Sequence, residues 1–239
     1  LSAGAGLSGF RISNENELNS HFEPSAQLRT KIDKIDFSLG YSRNTKYPCL
    51  HELFGNSFGN PDLKEEYADK FEFNTGYFTS LCGLSMSLSN SLYYNEINNL
   101  IDKRQDIYQN VGDIYNWGDD ISLDIKYYIE MEVNYSYIDY LDKSQYKQLH
   151  VPQNSLNITA IHKIKNLELS YSWEWKDERE SEFDYILSPY EIHSATLTYR
   201  FKKYKFLLGV KNIFDELYYE TYNYPGKGLD YVFALELEI

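Results

Sequence analysis

The chain has 239 residues, 42% of them hydrophobic and 17% aromatic, with a formal net charge of −13. So aromatic a composition excludes a solvated tail, and the negative charge excludes nucleic acid as a partner, since a phosphate backbone calls for a basic face. Two cysteines do not make a disulfide framework, and no apolar stretch approaches the ~18 residues of a transmembrane helix. The first residue is Leu and no signal peptide is visible, so the chain reads as a processed product, an engineered piece or an internal stretch of a longer one.

A two-residue period runs from end to end. DFSLGYS sets Phe37, Leu39 and Tyr41 against Asp36, Ser38, Gly40 and Ser42. LSMSLSNSLYY sets Leu84, Met86, Leu88 and Leu92 against serines, ISLDIKY sets Ile121, Leu123, Ile125 and Tyr127 against Ser122, Asp124 and Lys126, and EMEVNYSY sets Met131, Val133, Tyr135 and Tyr137 against Glu130, Glu132, Asn134 and Ser136. LELSYSWEW and the closing GLDYVFALELEI repeat the pattern, the latter with Leu229, Tyr231, Phe233, Leu235, Leu237 and Ile239 on one side. Such alternation predicts strands with one dry and one wet face. Twelve strands are expected, near 1–12, 22–33, 35–46, 66–78, 83–97, 113–127, 130–142, 152–163, 167–178, 190–202, 205–217 and 229–239. A short turn around DLKEEY is the one competing helical signal. Tight turns are expected near Asp33-Lys34, Thr79-Cys82, Tyr128-Ile129, Lys165-Asn166 and Lys202-Lys203, alternating with longer loops near 13–21, 47–65, 98–112, 143–151, 179–189 and 218–228.

A soluble β-sandwich also alternates, so the period alone does not say whether the dry face meets lipid or a protein core. Long strands, aromatic pairs at strand ends such as Tyr93-Tyr94 and Tyr218-Tyr219, and the alternation of short turns with long loops favour lipid. In hydrocarbon every backbone N–H and C=O must be paired, which strands achieve only in a closed barrel. The fold class expected is therefore all-β: an antiparallel transmembrane outer-membrane β-barrel of about twelve strands. Asn90, Asp69 and His162 fall on its apolar face and need an explanation.

Two stretches carry more than a pattern. Residues 41–77 contain Tyr47-Pro48, Glu52-Leu53-Phe54 and Asn60-Pro61-Asp62-Leu63-Lys64-Glu65. Residues 207–239 contain Asn212-Ile213-Phe214-Asp215, Tyr218-Tyr219 and Pro225-Gly226. Both resemble the C-terminal half of TonB-dependent outer-membrane receptors, in order and placement. Thr45-Lys46 and Glu65 depart from the family pattern, and Ile239 ends the chain where an aromatic residue is usual. The resemblance implies a barrel of roughly 22 strands with an N-terminal plug domain and a TonB-binding box. Twelve strands here correspond to the C-terminal portion of that barrel, residues 1–239, with plug and TonB box absent. Two edges would then be left unpaired, so either another chain supplies the remainder or twelve strands close on themselves.

The resemblance also implies uptake of an iron chelate (a siderophore), haem or a similar scarce nutrient, bound by extracellular loops in the bacterial outer membrane. The plug, the outer-membrane lipid and TonB, reached through the N-terminal segment, would be the partners. His51 lies in the loop where haem-transporting members place an iron-ligating histidine, although an exposed loop histidine is the plainer reading. Tyr108, Tyr115 and Trp117 flank a long loop and are placed to stack on a flat chelate or to form the outer aromatic girdle. His21, His150, His162 and His193 are isolated, no metal-ligand spacing or catalytic set is present, and neither an enzymatic activity nor a resident cofactor is expected. Glu130, Glu132, Glu168 and Glu174 belong to the wet face, a wall suited to plug arginines. The acidic stretch KDERESEFD reads as a solvated loop, and Cys49 and Cys82, at opposite strand ends, as free thiols. A porin-like or enzymatic self-closed barrel and a soluble secreted adhesin are the alternatives.

Overall fold

The computed structural model describes residues 1–13, 18–104, 106–140, 150–181 and 185–237, with side chains at 9–13 and 18–21 left aside. In chain order the elements are β1 (Ser2–Ser13), β2 (Leu18–Ile32), β3 (Ile35–Lys46), α1 (Leu50–Phe54), β4 (Glu66–Leu81), β5 (Leu84–Asn98), β6 (Ile101–Arg104) and β7 (Ile107–Asn110). There follow β8 (Ile114–Lys126), β9 (Ile129–Tyr140), β10 (Asn154–Ile164), β11 (Leu167–Lys176), β12 (Arg179–Glu180), β13 (Ile186–Leu187), β14 (Tyr190–Phe201), β15 (Tyr204–Lys211), β16 (Tyr219–Thr221), β17 (Tyr224–Pro225) and β18 (Asp230–Leu237). Twelve long strands form one sheet in the order β1-β2-β3-β4-β5-β8-β9-β10-β11-β14-β15-β18, while β6-β7, β12-β13 and β16-β17 form three small ribbons within the long loops. The sheet's ends are β1 and β18; among the described residues it does not close. The short helix falls on LHELF, not on DLKEEY, where Pro61 and Asp62 form a turn.

The chain divides into two compact units, one of Leu1–Thr75, Ser91–Gly118 and Asp139–Tyr146, the other of Gly76–Asn90, Asp119–Ile138 and Lys147–Ile239. In the first, Ala3 pairs with Leu28 and Leu28 with Leu39, while Leu7 pairs with Pro24, so apolar side chains share one face. The second shows the same rule at greater length. Ile129, His162, Leu169, Leu197, Leu208 and Phe233 form a single cross-strand row, flanked by Met131, Ala160, Tyr171, Ala195, Val210 and Tyr231.

That apolar face is not a buried core. Among the described residues the buried hydrophobics are Ile101 and Ile114 in the first unit and Leu187 and Tyr190 in the second, each beside a long loop, whereas Tyr231, Phe233 and Leu208 are 72%, 68% and 54% exposed. A soluble sandwich would place this face against a second sheet; left bare it exceeds what water-soluble surfaces carry. The opposite face is wet and ion-paired: Lys163 reaches Glu130 at 3.0 Å, Arg200 reaches Glu168 at 3.4 Å, and Lys205 reaches Glu236 at 2.9 Å.

Two-residue turns join neighbouring strands at Asp33-Lys34 in the first unit and at Cys82-Gly83, Tyr127-Tyr128, Lys165-Asn166 and Lys202-Lys203 in the second. Asp33, Cys82, Lys165 and Lys202 all take the left-handed backbone, with φ of 50–53°, which matches the right-handed twist of a hairpin. Two of the five lie one residue or so from their predicted positions. Both cysteines are free and exposed, as expected.

Candidate functional site

The Tyr47–Glu66 segment folds as a scaffold of side-chain to backbone bonds. Glu52, buried at the start of α1, accepts a 2.7 Å hydrogen bond from the Cys49 N–H and faces the Lys46 ammonium at 3.4 Å. Burial pushes its carboxyl up, but the Cys49 N–H and Lys46 outweigh burial and hold it below the ordinary value. Burial, with Glu65 and Glu23 nearby, pushes the neighbouring Tyr47 phenol up to about 12. Asn60 stitches three strands of chain together: its N–H donates to the Glu52 carbonyl, its Nδ2 to the Tyr108 carbonyl at 3.0 Å, and its Oδ1 accepts from the Asp62 N–H. Asn110 does the same from the other side, accepting from the Lys64 N–H and donating to the Lys64 and Asn99 carbonyls. Of the residues that resemble a family motif here, Glu52 and Asn60 are therefore structural clamps.

These clamps hold a small aromatic cluster. His51 packs on Phe58 with ring centroids 4.6 Å apart and meets Tyr108 edge-on at 6.3 Å, while Phe58 and Tyr108 lie 6.2 Å apart. Lys103, on the β6–β7 ribbon, places its ammonium 5.2 Å above the Phe58 ring. Of the four residues singled out in the sequence, His51 and Tyr108 are thus brought together. Tyr115 and Trp117 stand on the first rungs of β8, on the side of Ile121 and Leu123 by the two-residue period. Phe58 and Lys103 escaped sequence reading, since neither has a spacing signal; only the fold of two loops joins them to His51.

A second set of clamps closes the 212–229 loop. Asn212 is buried, donates to the Glu216 and Lys227 carbonyls at 2.9 and 3.1 Å, and accepts from the Glu216 N–H. Asp215 accepts from the Leu229 N–H at 2.8 Å. Gly226 lies so close to the Tyr218 ring that any Cβ would collide with it, which explains the glycine after Pro225. The buried Arg179 donates to the Tyr219 carbonyl at 2.9 Å and lies over the Tyr190 ring at 4.6 Å. Among the described residues no group of three or more His, Cys, Asp or Glu is arranged to hold a metal, and no helix is long and apolar enough to cross a membrane, which says nothing of strands.

A two-faced sheet, bare on its apolar side and clamped into loops at one end, is what a membrane barrel wall requires, and a family profile described as TonB dependent receptor-like, beta-barrel matches residues 1–213. The chain belongs to that family. Its members are transporters rather than enzymes, and they imply an outer-membrane location. Among solved structures, a mutant of the ferric enterobactin receptor PfeA from Pseudomonas aeruginosa is similar at 19% identity and a TM-score of 0.73, over 91% of this chain and 40% of the receptor. The FrpB iron transporter from Neisseria meningitidis is similar at 14% identity and a TM-score of 0.75, over 98% of this chain and 42% of that one. The copper transporter OprC is similar at 16% identity and a TM-score of 0.73, over 93% of this chain and 40% of its own. At these identities the likeness is one of fold, and the chain spans about two fifths of the length of these receptors. No curated protein matches.

Proposed function

We propose that this chain is the C-terminal part of the barrel of an outer-membrane receptor that takes up an iron chelate, a siderophore or haem, and is energised through TonB. The plug domain and the TonB-binding segment would be carried by the sequence that completes the receptor. The observation that carries this reading is the loop platform: clamps at Glu52, Asn60 and Asn110 hold the exposed His51 and Lys103 and the half-buried Phe58 and Tyr108 in one cluster among the long loops. Flat aromatic rings and a cation suit an anionic, aromatic chelate. Tyr115 and Trp117 anchor the aromatic belt beside it.

Cells lacking the full-length gene test the reading, with radioactive iron supplied as a ferric catecholate or as haem. The expected result is uptake restored by the gene, lost without TonB, and weakened about three- to tenfold in apparent affinity by Tyr108→Ala, the worth of one aromatic contact. Unchanged iron uptake on deletion, with copper accumulation reduced instead, would overturn iron as the cargo.

A further inference from the structure

The chain carries a net charge of −13, yet two tight turns of its second unit are basic. In the second unit four hairpin turns lie at the same end of the antiparallel sheet: Cys82-Gly83, Tyr127-Tyr128, Lys165-Asn166 and Lys202-Lys203. Lys165, Lys202 and Lys203 are exposed and make no ion pair among the described residues, whereas the carboxylates of the rungs behind them are committed, Glu130 to Lys163, Glu168 to Arg200 and Glu236 to Lys205. Three cations therefore stand at the tips without a carboxylate partner among the described residues.

What lies immediately behind these tips points to the occupant. Tyr127 and Tyr128 in their turn, and Ile164, Leu167, Phe201 and Tyr204 just inside the two lysine turns, are all exposed and form a belt of rings and aliphatic groups. Tyr128 is fixed by a 2.8 Å hydrogen bond from the His162 Nδ1–H to its carbonyl. The Lys202 ammonium sits 5.5 Å from the Phe201 ring centroid, so the charge lies against the aromatic belt itself. Aromatic belts settle at headgroup level, and lysines just beyond them meet the headgroups themselves.

We infer that the Lys165, Lys202 and Lys203 tips, with the aromatic belt behind them, form a binding surface for the phosphate of anionic phospholipid headgroups in the leaflet that faces the short turns. The inference uses the barrel's place in the outer membrane but no property of the transported ligand. Each lysine near a charged leaflet is worth about fivefold in partitioning, so three together give a clear preference for anionic over zwitterionic lipid.

The test takes the full-length receptor in detergent, supplied with equal phosphatidylglycerol and phosphatidylcholine, and reads the bound lipid by native mass spectrometry. Phosphatidylglycerol should be enriched, and the triple variant K165Q/K202Q/K203Q should lose at least about tenfold of that enrichment. The arginine triple, which keeps the charge, should restore it. Heat-modifiable gel mobility establishes that each variant is folded, and recovery in the outer-membrane fraction tests the location separately. Equal retention of the two lipids by wild type, or enrichment undiminished in the glutamine triple, would overturn the proposal. So would displacement of the lipid by millimolar inorganic phosphate, which would make these lysines a site for soluble anions.

Discussion

Asp69 is the most instructive side chain, because it lies on the apolar face and is nearly buried there. Arg43 grips it with two hydrogen bonds of 2.8 and 2.6 Å, and the Tyr41 hydroxyl donates a third at 2.6 Å. Tyr67 covers the guanidinium at 4.9 Å. Asn90 is accounted for in the same way, donating to Asp119 on the neighbouring strand, and His162 by its bond to the Tyr128 carbonyl. Polar groups facing hydrocarbon are tolerated when they satisfy one another, and removing one partner strands the other. Arg43→Leu or Asp69→Leu alone should each cost about 3–5 kcal/mol, and the double replacement far less than their sum. Urea unfolding of the full-length receptor in lipid vesicles measures all three, and a strictly additive double variant would show that the pair is not coupled.

Among the elements, the twelve long strands carry the alternation and the loops carry the clamps. Glu52 makes one such clamp sensitive to acid. Its folded pKa lies below the unfolded value of about 4.3, so its stabilisation is fully present above that value and is lost as pH falls through the folded pKa. The 47–65 loop of the full-length receptor should therefore become more accessible to pepsin as pH drops from about 5 to 3. Glu52→Gln, which cannot ionise, should flatten that dependence. An identical pH profile in the variant would assign the loosening to other groups. Most of this element-level structure was legible beforehand, because a period of two survives any loop arrangement. The 98–112 segment was not: read as loop, it forms the β6–β7 ribbon, whose Tyr108 N–H pairs with Phe58 across a sequence gap.

For the molecule as a whole, the contrast between long loops and tight turns sets the sidedness. Cys49 lies in the long β3–β4 connection and Cys82 in the tight β4–β5 turn, both free and exposed. On intact cells expressing the full-length receptor, a membrane-impermeant maleimide should label Cys49, and Cys82 only after the outer membrane is permeabilised. Equal labelling of both in intact cells would overturn the assignment of long loops to the outside.

The sequence alone determined the number of long strands, the face their alternating residues occupy and the positions of the tight turns to within a residue or so. These depend on local periodicity and turn stereochemistry, which neighbouring residues fix among themselves. It also carried the two clamp motifs, though as resemblance rather than as chemistry. Only the tertiary structure decided that Glu52, Asn60 and Asn212 are hydrogen-bonded anchors, that Phe58 and Lys103 join His51, and that Asp69 has Arg43 beside it. Those pairings join residues far apart in the chain, and their energy depends on geometry that no single segment contains.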